Sequence, residues 1–184
     1  MKPNLQMIAR NWWPVVLWLG VIRLESTSFA SARNTFRLLF NIANFLFGRV
    51  DPQIVFELDH ALRKSGHFIG YAVLSGLTFL ALRNTYRDHV SNSARRRWGQ
   101  QLSDCWRLEW ALIAILLTVV TASMDEIHQT FLPFRTGRWQ DVVLDTSGAF
   151  ALQLVIYLAC QLRFLFRDSG GVPPAPKLPI IESE

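Results

Sequence analysis

Apolar stretches long enough to cross a lipid bilayer are the feature that most limits what this chain can fold into. Three stretches cover residues 64–83, 108–131 and 141–166, and a shorter one covers residues 12–27. A bilayer-spanning helix needs about 20 mostly apolar residues at about 1.5 Å of rise each. With 51% hydrophobic residues and seven tryptophans in 184 positions, the chain is too apolar for an ordinary soluble domain. The sequence therefore predicts an all-α fold, a four-helix transmembrane bundle.

Two further segments complete the predicted domain organisation. Residues 34–47 are apolar over most of a helical turn but too short to cross a bilayer, which predicts a short interfacial amphipathic helix in the first outer loop. Gly48, Asp51 and Pro52 then break this helix. Residues 169–184 are rich in Gly and Pro, which predicts a disordered cytoplasmic tail after a transmembrane domain at residues 1–168.

The first apolar stretch has two interpretations. A cleaved signal peptide is one, because a basic flank and a short apolar core precede the small residues Ala30-Ser31-Ala32. We favour a short first span, with Asn11 as the helix cap and Pro14 tolerated in the first turn.

Charge and cysteine content bear on orientation and on partners. The formal charge of +5 is spread along the chain and clusters only at residues 95–97, where three arginines stand together. Such a cluster beside a span is typical of the cytoplasmic side and does not indicate nucleic-acid binding. We therefore predict a multi-pass membrane protein with both termini in the cytoplasm. Cys105 and Cys160 have no motif spacing and are predicted to be a loop thiol and a buried thiol, without a zinc site or a disulfide framework.

Polar residues gather where the predicted helices reach the outer face of the membrane. The second span contributes a stripe of residues three and four positions apart, the third ends in acidic residues, and the fourth begins with two aspartates one turn apart. Gly148 lies on the same side as those aspartates, where a neighbouring helix can approach closely. The predicted site residues are Lys64, His67, Tyr71, Asp125, Glu126, Gln129, Arg135, Arg138, Asp141 and Asp145.

The charge balance of this site limits its ligands. Three cations, Lys64, Arg135 and Arg138, face four carboxylates, and Arg63 makes the numbers equal. A site that mainly captures phosphate would be expected to carry surplus positive charge. The count favours an internally paired pocket or one completed by a divalent metal, with weak candidate ligands in His67, Glu126, His128, Asp141 and Asp145. The alternative is a non-enzymatic structural or interaction protein whose charged residues only stabilise the bundle.

These residues resemble the motifs of the VanZ-like family of small bacterial membrane proteins. The K-x-x-H-x-x-x-Y element corresponds to Lys64, His67 and Tyr71, and the D-E-x-x-Q element to Asp125, Glu126 and Gln129. The following proline and arginine, the closing aspartate and the Gly-Ala pair correspond to Pro133, Arg135, Asp141, Gly148 and Ala149. Asp145 departs from the family pattern, since asparagine often fills that position.

The resemblance implies a protein of the bacterial inner membrane, at the cell envelope, that is associated with resistance to the glycopeptide antibiotic teicoplanin. We expect an outward-facing polar pocket that binds or modifies a membrane lipid or a lipid-linked cell-wall component. If the protein is an enzyme, His67 is the candidate general acid or base, tuned by Asp125 or Glu126, and Arg135 would hold the head group of the ligand.

Overall fold

The structure, a computed structural model, describes residues 5–27, 32–91, 105–131 and 137–168. The described residues form helices α1 (Leu5–Glu25), α2 (Ala32–Phe47), α3 (Pro52–Ser91), α4 (Leu108–Thr130) and α5 (Trp139–Asp168), with no strand among them. The prediction of an all-α fold is confirmed. The arginine cluster at residues 95–97, Arg135 and the predicted disordered tail lie outside the described residues.

Three of these helices are long and apolar enough to cross a membrane, namely the segments Pro52–Asp88, Leu108–Thr130 and Trp139–Phe166. Only 17% of the apolar window in the last segment is buried inside the protein, so most of its apolar side chains face outward. Large exposed patches of Leu, Val and Phe are unfavourable in water and are the normal surface of a helix in lipid. The three segments contain the predicted second span and nearly coincide with the third and fourth. The helix over the predicted first span, α1, is not among them.

The chain turns sharply between α2 and α3, as the Gly, Asp and Pro there predict. Gly48 adopts a φ of 80°, a left-handed conformation that favours glycine. The Asp51 carboxylate accepts a hydrogen bond from the backbone N–H of Gln53 at 2.9 Å, and Pro52 occupies the first helical position. Helix α3 therefore begins at Pro52, well before Lys64, and its 40 residues make about 60 Å of helix.

Helix α1 begins earlier than predicted, which changes the role of two of its residues. The predicted cap Asn11 lies inside the helix, where its side-chain amide donates to Asp88 on α3 at 3.0 Å. Pro14 is likewise an interior residue and not part of the first turn. The indole N–H of Trp18 donates to the carbonyl of Gly70 at 2.8 Å. These contacts show that α1 packs antiparallel to α3.

Helices α3 and α5 run parallel to each other and antiparallel to α4. His67 lies beside Asp145, and Ser75 beside Gln153 about two turns further along both helices. A Cβ atom at Gly148 would collide with the backbone carbonyl oxygen of Phe68, so only glycine permits this approach of the two backbones. The prediction that a helix approaches closely at Gly148 is confirmed.

The cysteine prediction is wrong. Cys105, just before α4, and Cys160, near the end of α5, form a disulfide with Cα atoms 6.0 Å apart. Because α4 and α5 are antiparallel neighbours, residues 55 positions apart meet at the same end of the protein. Spacing along the chain could not reveal this, since the two cysteines belong to no local motif. Next to the disulfide in the chain, the Trp106 ring packs against the Tyr157 ring with centroids 4.9 Å apart.

Candidate functional site

His67 and Asp145 form the centre of the candidate site. Their helices are held together at Gly148, which brings the His67 Nδ1 atom within 3.5 Å of the Asp145 Oδ1 atom. This distance is longer than an ordinary hydrogen bond, so the pair is an ionic contact at most. The Asp145 side chain is 1% exposed, whereas that of His67 is 29% exposed. His67 is therefore the member of the pair that can meet a ligand.

Tyr71 and Asp125 lie next to this pair in the core. The Tyr71 ring stacks against the His67 ring with centroids 6.2 Å apart, because the two residues are one turn apart on α3. Asp125 accepts a hydrogen bond at its Oδ2 atom from the Gln129 amide, 3.0 Å away and one turn later on α4. His67, Tyr71 and Asp125 together line a small cavity of about 10 Å³ near the end of α1.

Glu126 joins α4 to the start of α5. Its carboxylate accepts a hydrogen bond of 2.6 Å from the backbone N–H of Arg138, immediately before α5 begins at Trp139. A carboxylate at this point also interacts favourably with the positive end of the helix dipole. A Cβ atom at Gly137 would collide with the backbone oxygen of Glu126, so the connection to α5 passes directly over the end of α4. In this structure Glu126 holds the connection between two helices.

The remaining predicted site residues occupy less central positions. Lys64 is exposed on α3, and Arg138 is exposed and approaches the site through its backbone N–H. Asp141 and His128 are partly buried, while Arg135 lies outside the described residues. In the described ranges no Lys or Arg side chain is buried, although Asp125, Glu126 and Asp145 are. The described cations among the predicted site residues thus lie at the edge of the site, and the buried carboxylates have no Lys or Arg side chain beside them in the described core.

The described residues do not assemble the metal site considered from the sequence. They contain no group of three or more His, Cys, Asp or Glu side chains placed to hold a metal ion. His67 and Asp145 are neighbours, but the Glu126 carboxylate is bonded to the protein backbone. A divalent metal would need at least one further protein ligand to complete its usual coordination.

A larger groove opens beside His67 and was not predicted. It has a volume of about 360 Å³ and lies between the end of α1, α2 and the first part of α3. Leu38, Leu39, Ile42 and Leu62 supply its apolar wall. The polar part of the lining consists of Glu25, Thr35, Asp59, Arg63 and His67.

The polar residues of the groove could have been found from helical spacing. Asp59, Arg63 and His67 follow one another at intervals of four residues, which places them on one face of a helix. The sequence interpretation assumed that the helix begins at Lys64, and this assumption removed Asp59 from consideration. Asp59 is 6% exposed and belongs to the buried polar residues of the protein.

Comparisons with known proteins give one result. No curated protein and no solved structure matches the chain significantly. The family profile described as VanZ/LLP1 matches residues 12–164, a range that includes His67, Asp125 and Asp145 as well as the groove. Because this match covers most of the 184 residues, the chain belongs to the VanZ-like family.

Proposed function

We propose that this VanZ-like membrane protein binds a lipid or a lipid-linked cell-wall component in the groove between α1, α2 and α3. The observation that carries the proposal is the division of the groove into an apolar wall and a polar end. An amphiphile has the same division, with an acyl chain to match the leucines and a head group to match His67, Arg63 and the nearby carboxylates. Such pockets of about 300–1,000 Å³ commonly hold small ligands.

The surroundings of the groove support a lipid as its occupant. Helix α2 carries strongly exposed apolar side chains, including Phe45 at 88% and Phe47 at 78%. An amphipathic helix with this surface lies in the interface between head groups and acyl chains. A groove bordered by such a helix opens where membrane lipids are present at high local concentration. The proposed link to teicoplanin resistance is that binding or modifying this ligand changes the cell envelope.

His67 is the residue through which the groove reaches the buried polar core. It lines both the groove and the small cavity, and its Nδ1 atom faces Asp145. If the protein carries out a chemical step, His67 is placed to exchange a proton with the head group. Asp145 would orient the imidazole, with Asp125 and Glu126 further away in the same charged layer. A histidine oriented by a carboxylate is a common arrangement for general acid–base catalysis.

The proposed arrangement in the bacterial inner membrane has α1 as a fourth span beside the three apolar helices. Its contacts with α3, through Trp18 and Asn11, lie about two turns apart along the helix. The three arginines at residues 95–97, between α3 and α4 in the chain, support a cytoplasmic position for this part of the sequence by the positive-inside rule. Both termini would then be cytoplasmic, and the groove with His67 would face the outside of the cell.

Filling the groove tests the proposed function directly. The change Leu39→Trp places a larger ring in the apolar wall, and we expect it to reduce the lipid that co-purifies with the protein by about tenfold or more, equivalent to about 1.4 kcal/mol. Native mass spectrometry of the purified protein measures the bound lipid. Leu46→Trp is the matched control, since Leu46 is 62% exposed on the same helix and does not line the groove. Equal lipid retention in the two variants would contradict the proposal.

The cysteine pair provides a test of the orientation. Cys105 and Cys160 lie at the end of the protein opposite His67, and the proposed orientation puts this end in the cytoplasm. The structure joins the two cysteines, whereas cytoplasmic thiols are kept reduced, so the disulfide and the arginine cluster favour opposite orientations. The proposed orientation predicts that both cysteines react with a maleimide-polymer reagent in protein denatured directly from cells, without a reducing agent. A gel shift reports the number of reactive thiols. Labelling that appears only after reduction would place the disulfide in an oxidising compartment and the groove in the cytoplasm.

The second candidate is a structural or interaction protein whose charged residues only stabilise the bundle, and one observation favours it. Glu126 uses its carboxylate to hold the backbone N–H of Arg138, a contact within the protein that leaves less of this residue for a ligand. The Gln129 side-chain amide likewise donates a hydrogen bond to one carboxylate oxygen of Asp125. Replacing these residues would then lower stability and function to the same degree. The His67 variants in the Discussion separate the two candidates.

A further inference from the structure

The small cavity near the end of α1 has an unusual lining. Its volume is about 10 Å³, enough for one particle the size of a water molecule. Three helices surround it, with Glu25 and Ser26 at the end of α1, His67 and Tyr71 on α3, and Asp125 on α4. The wall is completed by Gly66 and Gly70, which leave room beside the polar groups.

Three polar atoms of this lining make no hydrogen bond to the described residues. They are the Tyr71 hydroxyl oxygen and the Asp125 Oδ1 atom, on side chains that are 1% and 3% exposed, and the His67 Nδ1 atom, which faces Asp145. A buried polar atom without a partner costs about 1–3 kcal/mol, and more when it is charged. Asp125 already uses its other oxygen for Gln129, and the Ser26 hydroxyl donates its proton to the Ile22 carbonyl. The hydroxyl oxygen of Ser26 therefore still has lone pairs to offer.

The lining thus presents oxygen acceptors, and His67, which faces Asp145, is its one side chain that can carry a positive charge. In the described ranges no Lys or Arg side chain is buried, and neither oxygen of Asp145 accepts a hydrogen bond from a described residue. Carboxylates inside a membrane protein need a counter-charge and frequently mark ion or proton sites. One fully buried carboxylate combined with neutral hydroxyl oxygens suits a single positive charge better than a divalent ion, which prefers several carboxylates.

We propose that this cavity binds one small monovalent cation, Na⁺, through Asp125, Tyr71 and Ser26. The cation would neutralise the buried carboxylate and join α1 to α3 and α4. This proposal is independent of lipid binding, because the cavity and the larger groove share only Glu25, Gly66 and His67. The titratable groups that face the cavity or the core beside it are Glu25 on α1, His67 and Tyr71 on α3, Asp125 and Glu126 on α4, and Asp145 on α5.

Thermal unfolding of the full-length protein in detergent tests the cation site. At constant ionic strength, replacing choline by Na⁺ should raise Tm in a saturable way, by roughly 3 to 5 °C at about ten times Kd. K⁺ and choline serve as controls for size and for ionic strength. If Asp125 takes up a proton in place of a cation, the rise in Tm appears on acidification in choline and Na⁺ has no effect of its own, which would overturn the Na⁺ site.

Two variants distinguish the site from non-specific ion effects. Asp125→Asn removes the charge, and Tyr71→Phe removes only a hydroxyl oxygen while it keeps the buried ring, so that at least one folded variant is available. Each of these variants should abolish the response of Tm to Na⁺ or raise the apparent Kd for Na⁺ by about tenfold or more. The control Glu109→Gln, at an exposed carboxylate on α4, should leave the response of Tm unchanged. Leu39→Trp should also leave it unchanged, which separates this site from the groove. A wild-type protein whose Tm does not respond to Na⁺, or a response to Na⁺ that survives in both site variants, would overturn the proposal.

Discussion

The change Gly148→Ala should destabilise this protein more than any other single methyl addition to its described helices. A Cβ atom at this position would collide with the backbone oxygen of Phe68, which no side-chain rotation can move away. Overpacking of a well-packed contact lowers the free energy of unfolding by about 1–3 kcal/mol. We expect a loss at or above the upper end of this range, because α3 and α5 must separate. Their separation would also part His67 from Asp145. The Tm of purified protein and the amount of protein recovered from membranes measure the effect.

Two glycines provide matched controls for this change. Gly20 on α1 has no atom within 4 Å of the position that an added methyl group would take, so Gly20→Ala should be neutral or stabilising by up to about 1 kcal/mol through helix propensity. The Tm of Gly76→Ala should lie between the Tm values of these two variants. Its added methyl group meets only the side chain of Leu152, whose flexible Cδ2 atom is nearest at 2.7 Å. Equal Tm values for Gly148→Ala and Gly20→Ala would show that α3 and α5 are not in contact at this point.

The change His67→Gln should remove function with little loss of stability. His67 lines both cavities, and its Nδ1 atom makes no hydrogen bond to the described residues, so few stabilising contacts depend on the ring. We expect lipid retention to fall by about tenfold or more, equivalent to about 1.4 kcal/mol. Under the proposed link to teicoplanin, resistance in cells that express the protein should be lost as well. Tm should change by only a few degrees, since glutamine still offers a polar group to Asp145.

The control for this variant lies on the same helix. His60 is exposed two turns before His67 and lines neither cavity, so His60→Gln should leave lipid retention, resistance and Tm unchanged. If His67→Gln instead lowers Tm and function in proportion, the charged residues act as internal supports of the helices. The structural candidate would then replace the proposed ligand-binding function.

The positions of the helices and the family could be predicted from the sequence because they depend on local information. Runs of apolar residues define spans through hydrophobicity and length, so α4 and α5 were placed almost at their observed bounds. The motif residues His67, Tyr71, Asp125 and Gln129 could be chosen because the spacing on a helix decides which residues share a face. The predicted start of the second span at Lys64 was wrong by about three turns of helix, because α3 already begins at Pro52.

Contacts between helices depended on the tertiary structure. Cys105 and Cys160 have no local signal for pairing, and only the antiparallel arrangement of α4 and α5 brings them together. Lys64 has the helical spacing of a site residue, yet it is exposed, because α3 presents to the core the face that carries Tyr71 and Ser75. Asp145 was one carboxylate among four in the sequence, and the approach at Gly148 makes it the partner of His67.

The sequence by itself thus determined that the chain forms apolar helices with a polar layer at one end, because hydrophobicity and helical period act over a few neighbouring residues. Which members of that layer are buried, and which line a groove with α2, was decided only by packing between segments far apart in the chain. Charges could be counted from the sequence, but their pairing could not, because the cost of a buried charge depends on the atoms that surround it.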